Sequence, residues 1–207
     1  MRIDHVVWAT SDLDAAAERF GVELRLPVLD GGIHPDWGTG NRIIALGEDY
    51  IELLGVVDRP TAERSWLGRE ILRLGADRWF TVCVDDPDLE RTASRLHLEI
   101  AKGSRSLPDG ETLRWVSAGL GSPERGDSLP FFIRWLVDRE LHPSHMTQVE
   151  PGWAIGSVTT GAEPAELARW TGSAELPIVA TGDGSGVIEV TVRSPRADVT
   201  IGSDLSR

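Results

Sequence analysis

A carboxylate in the middle of an apolar strand needs a partner or a task, and Glu52 stands in such a place, within Tyr-Ile-Glu-Leu-Leu-Gly-Val-Val. Strand alternation puts it on one face with Tyr50 and Leu54, while Ile51 and Leu53 face the other way. Arg134 holds the matching place in Phe-Phe-Ile-Arg-Trp-Leu-Val. Together they make either a buried ion pair that neutralises both groups, or a site where Arg134 holds a carboxylate or phosphate and Glu52 moves a proton. His5 shares a strand face with Ile3 and Val7. It reads either as a hydrogen-bonded core histidine or as an acid–base group working near neutrality. His34 lies in Gly-Gly-Ile-His-Pro-Asp-Trp-Gly-Thr-Gly-Asn at 31–41, either an ordinary turn or a loop whose glycines let the backbone approach a ligand. In the same stretch Trp37 is either a lid on that ligand or a residue packed on the first helix.

Other chemistries fail on spacing. Residues 31–41 lack the Lys and the glycine pattern of a phosphate-binding loop. Gly-Ser-Gly at 184–186 lacks the flanks of a hydrolase elbow. Cys83 sits in Val-Cys-Val, a buried-strand pattern in which a thiol is inert. His142 and His145 have a metal-like spacing, but Pro143 and Ser144 between them favour a loop over a helix.

The elements that must position these residues repeat along the chain. Residues 3–20 and 79–96 align without gaps, matching Val6 with Val82, Asp12 with Asp88, Leu13 with Leu89, Ala17 with Ala93 and Arg19 with Arg95. A weaker third copy opens at Ile155. Each copy starts with a β-branched and aromatic run, breaks at an acidic or proline residue, and continues into an Ala-, Glu- and Arg-rich helical stretch. Three extended segments follow each helix: 23–29, 42–46 and 50–56 in the first copy, 99–102, 112–116 and 130–137 in the second, and 177–180, 187–192 and 198–201 in the third. The unit is β-α-β-β-β, an α+β arrangement of curved mixed sheets and not a doubly wound parallel sheet. The units span 1–57, 76–146 and 147–207, with a connecting helix over 58–75, an extended crossover over 142–152 and a tail that frays after Ile201.

Composition narrows the partners. The chain has 207 residues and a net charge of −12, from 33 acidic against 21 basic residues, which argues against nucleic acid and anionic membranes. One cysteine excludes a disulfide framework and a cysteine-zinc site. No apolar run approaches the roughly 18 residues of a membrane span, and the start lacks a signal-peptide core, so the cytoplasm is the expected location. The eight tryptophans are spread along the chain, and most read as packing at repeat seams, with Trp37 and Trp135 kept as ligand contacts.

Ile-Asp-His-Val-Val-Trp-Ala at 3–9, the glycine-rich stretch at 31–41, Tyr-Ile-Glu-Leu-Leu-Gly-Val at 50–56 and Leu-Pro-Phe-Phe-Ile-Arg-Trp at 129–135 resemble the glyoxalase-like branch of the vicinal oxygen chelate superfamily. That superfamily also holds bleomycin resistance proteins and extradiol dioxygenases. The resemblance covers about residues 1–146 and implies paired units curled into a half-barrel cup. In metal-dependent members the first and last strands of each unit supply His and Glu ligands, and the matching positions are His5, Glu52, Thr81 and Arg134. Threonine is a poor ligand and arginine has no lone pair to give, so no cofactor is expected. A divalent ion enters only if His34 or a substrate oxygen completes a shell with His5 and Glu52. The resemblance makes His5 and Glu52 the catalytic candidates, with Arg134, His34, Trp37, Asn41, Thr81 and Trp135 on the ligand. Two functions follow: an isomerase or lyase that abstracts a proton next to a carbonyl of a small organic acid, or a non-catalytic protein that sequesters a small molecule. The third unit leaves an apolar face and a sheet edge, the expected seat of a homodimer.

Overall fold

The computed structural model describes residues 1–75, 77–107 and 110–203. The chain opens with β1 (Arg2–Thr10), α1 (Leu13–Leu24), β2 (Leu29–His34), β3 (Thr39–Ala45) and β4 (Tyr50–Val56). Asp12 starts α1 by accepting from the Asp14 and Ala15 amides at 3.1 and 3.0 Å. Helices α2 (Arg59–Ala62) and α3 (Trp66–Leu74) replace the single connecting helix expected, because Ser65 caps a fresh start by accepting from the Gly68 amide at 2.9 Å. Then come β5 (Arg78–Asp85), α4 (Leu89–Leu96), β6 (Ile100–Ser106), β7 (Thr112–Ala118) and β8 (Phe131–Trp135). Two 3₁₀ turns follow β8, Arg139–Leu141 and Pro143–His145, the second at the start of the crossover expected over 142–152, and no helix or strand occupies 146–152. The last segment is β9 (Ala154–Thr160), α5 (Pro164–Thr171), β10 (Ile178–Ala180), β11 (Val187–Arg193) and β12 (Val199–Gly202). Of the tail expected to fray, residues 204–207 lie outside the described residues.

The first eight strands close into a barrel in the order β1-β4-β3-β2-β6-β7-β8-β5. In both halves the opening strand pairs parallel with the closing one, β1 with β4 and β5 with β8. The halves join along the antiparallel β1–β5 seam and meet again at one bridge, Ile33 with Ser106. That contact turns the expected open cup into a closed barrel. It requires glycine at 31 and 32, since a Cβ on Gly31 would lie 2.0 Å from Asn41 Oδ1 and one on Gly32 2.3 Å from the Ser106 carbonyl.

β9 to β12 form a separate sheet in the order β10-β9-β11-β12. The element order repeats, but the wiring differs: β9 pairs parallel with β10, the strand directly after its helix, and not with the last strand. Its apolar face, with Ile155, Val158, Val190 and Ile201, packs on the outside of the barrel against Val6, Trp8, Phe20, Trp79 and Val82. Trp8, Phe20 and Trp79 meet edge to face at 5.1 to 5.9 Å, and Trp79 Nε1 donates to the Ile201 carbonyl at 2.7 Å. The apolar face offered above as the seat of a homodimer is therefore spent within the chain. Among the described residues no helix is long and apolar enough to cross a membrane.

Candidate active site

The barrel encloses a cavity of about 50 Å³, room for a few waters or a small organic group. His5 and Val7 of β1, Tyr50, Glu52 and Leu54 of β4, and Phe131, Ile133 and Trp135 of β8 form much of its wall. Tyr50, Glu52 and Leu54 share the face that alternation assigned to them. A register shift in β1 between Ile3 and His5 makes Asp4 an extra residue in the β1–β5 ladder. The fully buried Asp4 carboxylate thereby reaches its own neighbour, with Oδ1 2.5 Å from His5 Nδ1.

Asp4 is the most densely hydrogen-bonded carboxylate of the site. Its Oδ2 accepts from Trp135 Nε1 at 3.0 Å and lies 2.9 Å from His142 Nε2. The Ser144 amide donates to His142 Nδ1 at 3.2 Å, so His142 carries its proton on Nε2 and gives that hydrogen bond to Asp4. Burial works against the Asp4 charge, but the hydrogen bonds from His142 and His5 outweigh it and hold the carboxyl well below the usual carboxylate range. An ionised Asp4 can only accept, which places a proton on His5 Nδ1 and aims Nε2 at the cavity. There His5 Nε2 is 3.7 Å from Glu52 Oε2, too long for a direct hydrogen bond and short enough for both to act on one bound atom.

The other oxygen of Glu52 accepts from Asn41 Nδ2 at 2.5 Å. Asn41 Oδ1 in turn accepts from Arg105 Nη1 at 3.2 Å. Arg105 is 2% exposed, and burial pulls its guanidinium below its ordinary value against the pull of Tyr50 and Glu52. His34 Nδ1 bonds Thr39 Oγ1 at 3.0 Å and its Nε2 stands 4.0 Å from Glu52 Oε1. Burial pushes His34 down to about 4, only partly opposed by Glu52, so the ring is neutral at neutral pH.

Seven of the eight expected site residues line this cavity: His5, His34, Trp37, Asn41, Glu52, Thr81 and Trp135. Trp37 packs on His34 and Trp115, at 5.4 and 6.3 Å between rings, and not on the first helix. Arg134 does not join them. Its side chain points out of the barrel and forks onto Glu90 of α4 at 2.6 and 2.8 Å. Arg134 therefore pairs with Glu90 and not with Glu52, and it stands outside the cavity wall. Register gives the reason. Glu52 pairs with Val7, two residues past His5, and the same step in the second half pairs Phe131 with Cys83, two residues past Thr81. The counterpart of Glu52 is therefore Phe131.

This also tests the family's metal shell. Of its four positions two hold Thr81 and Phe131, and Thr81 Oγ1 accepts from the buried Arg125 guanidinium at 3.0 Å. Among the described residues the one set of three potential ligands whose atoms converge is Asp4, His5 and Cys83. Asp4 and His5 there bind each other, and burial pushes the Cys83 thiol up. His5, His34 and Glu52 do not converge as such a set, so the donors present do not fit a divalent ion.

Sequence reasoning missed Asp4, Arg105 and Trp115, and it read His142 only as a loop histidine. Asp4 stands beside His5 in the quoted motif, and an acid next to a candidate histidine was an available signal. Arg105 lies in Lys-Gly-Ser-Arg-Ser, a polar stretch without the apolar alternation of a wall strand.

Two β-α-β-β-β halves closed around an inner His and Glu define a protein of the vicinal oxygen chelate class. A family model described as a glyoxalase-like domain matches residues 3–176, and the chain belongs to that family. No curated protein matches the sequence significantly. A hypothetical protein from Staphylococcus aureus has a similar structure, with a TM-score of 0.64 at 17% identity over 96% of this chain and 84% of that one. That likeness shows the fold. Methylmalonyl-CoA epimerase from Mycobacterium tuberculosis is more distant, with a TM-score of 0.46 at 18% identity over 64% of this chain and 85% of its own. A Streptomyces coelicolor methylmalonyl-CoA epimerase variant in complex with 2-nitronate-propionyl-CoA gives a TM-score of 0.48 at 17% identity, over 65% of this chain and 96% of that one.

Proposed function

We propose that the cavity transfers a proton at a carbon next to a carbonyl of a small organic acid, the chemistry of an isomerase or lyase, without a metal ion. The observation that carries this is the Glu52 Oε2–His5 Nε2 pair, 3.7 Å apart on the cavity wall, with His5 oriented by Asp4. Glu52 takes the proton from the carbon, and the C–H electron pair moves to the carbonyl oxygen to form an enolate. Arg105 stabilises the oxygen anion by its charge, and His5, whose Nε2 turns a lone pair to the cavity, is the second base that relays the proton. Returning the proton to carbon completes an isomerisation, whereas expelling a group from the next carbon completes an elimination. The donor set described above is what supports a metal-free site.

The test is ¹H NMR in D₂O with a panel of small 2-oxo, 2-hydroxy and 3-oxo acids. Wild type should exchange the C–H next to the carbonyl of at least one, and Glu52→Gln should slow this by about 10²–10⁴-fold. The apolar wall of Trp37, Trp115 and Phe131 favours the second reading, sequestration without chemistry. Saturable binding with no C–H exchange in wild type would establish that reading and remove the catalytic one.

A further inference from the structure

Arg105 is nearly fully buried, yet two of its donors have no use. Nη1 is engaged by Asn41, while Nε and Nη2 are buried without a hydrogen-bond partner among the described residues. Nη1 lies on the Cδ side of a guanidinium, so Nε–H and Nη2–H share the opposite edge, the one that receives a carboxylate side-on with two parallel hydrogen bonds. Buried charged donors are seldom left unmade, because their desolvation is not returned until something accepts from them.

The surroundings hold this edge in place. Asn41 fixes Arg105 through Oδ1 and Glu52 through Nδ2, so a ligand gripped by the arginine is positioned relative to the base. Gly32 makes room for the arginine stem, since a Cβ there would lie 2.9 and 3.1 Å from Arg105 Cγ and Cδ. We infer that Arg105 is the ligand-recognition residue of the cavity and takes the carboxylate of a small monocarboxylic acid through Nε–H and Nη2–H. This rests on the reading of the cavity as a small-acid site and names the group recognised. A dianionic phosphate suits the place poorly, because among the described residues that line the cavity Arg105 is the one arginine and Glu52 is an anion. The cavity of about 50 Å³ limits the buried part of the ligand to a few heavy atoms, and Trp115, Phe131 and Ile133 give them an apolar wall.

The experiment compares propionate, propionamide and inorganic phosphate on the full chain, by titrating the indole N–H signals of the cavity tryptophans. Propionate should shift them saturably, with propionamide at least about 30-fold weaker, because a site built for a charged acceptor rejects the neutral isostere. Phosphate should give no saturable shift. Arg105→Lys keeps the charge and loses the fork, and should weaken propionate about tenfold or more. Arg105→Met should bind acid and amide alike; if it does not fold, the lysine variant carries the comparison. Equal affinity of wild type for acid and amide, saturable phosphate binding, or undiminished propionate binding by Arg105→Lys would each overturn the assignment. Selective propionate binding without C–H exchange on any acid refutes the catalytic proposal alone. Exchange that keeps its KM in Arg105→Lys refutes this inference alone.

Discussion

Asp49 ties the barrel to the β9–β12 sheet, and its chemistry makes that tie sensitive to pH. It lies in the turn between β3 and β4, and both carboxylate oxygens sit 3.1 Å from the Ile155 amide at the start of β9. Burial raises its pKa from 3.8 to about 7, against the smaller opposing effects of that amide and of Arg2. Between those values the folded chain keeps a proton that the unfolded chain has released, so stability falls as pH rises through this window and levels off above it. At about 1.4 kcal/mol for each pH unit, full expression of the shift would be roughly 4 kcal/mol; partial solvent access reduces this to about 1–2 kcal/mol. Asp49→Asn keeps an oxygen for the Ile155 amide and removes the charge. The variant should match wild type near pH 4 and exceed it at pH 8 by about 1–2 kcal/mol, or roughly 2–6 °C in Tm for a chain of this size. His34, lowered from 6.5 to about 4 by burial, gives the opposite slope, with stability falling as pH drops through that range. In wild type the two slopes oppose each other between about pH 4 and 6.5, and the difference between variant and wild type isolates Asp49. Thermal melts at pH 4, 6 and 8 measure it. A difference that does not grow with pH, or a variant less stable at pH 8, would refute the reasoning.

Other perturbations have equally definite outcomes. Asp4→Asn offers His5 an amide donor and drives the ring proton to Nε2; ¹⁵N NMR of the His5 ring should show the tautomer change, and C–H exchange should drop by about 10³–10⁴-fold. Arg134→Ala removes only a surface pair with Glu90, so urea melts should move by less than about 1 kcal/mol and propionate binding should not change. Gly103→Ala would place a Cβ 2.3 Å from the Trp115 ring; this should destabilise by about 1–3 kcal/mol and weaken propionate binding by moving that wall. Trp79→Phe leaves the Ile201 carbonyl without its 2.7 Å donor and should lower stability by about 1–3 kcal/mol in the same melts.

The readable parts of the site were those where one strand face differs from the other. Tyr50, Glu52 and Leu54 alternate with Ile51 and Leu53, and the polar member of an otherwise apolar face marks the inside of the barrel. His34, Trp37 and Asn41 were readable as a group because glycines surround them. They come together as a β2–β3 hairpin, however, and not as a loop, since α1 runs on to Leu24 and the strand starts at Leu29. The face of β8 was not readable. Phe131, Phe132 and Ile133 are all buried, so alternation carries no phase there, and Arg134 could be placed inside or outside with equal right.

The sequence by itself determined the α+β class, the β-α-β-β-β unit, and Glu52 and His5 as polar residues set in apolar strands, because periodicity and misplaced polarity are local properties. Tertiary structure decided the rest. Barrel closure at the β2–β6 bridge buries Arg105 beside Asn41, from a strand too polar to announce itself. The extra residue in β1 turns Asp4 onto His5, and the chain after β8 brings His142 to the same carboxylate. Pairing of β8 with β5 puts Phe131 inside and Arg134 outside. Each of these depends on which strands meet and in what register, which no single segment encodes, and together they put Arg105, and not Arg134, on the cavity wall.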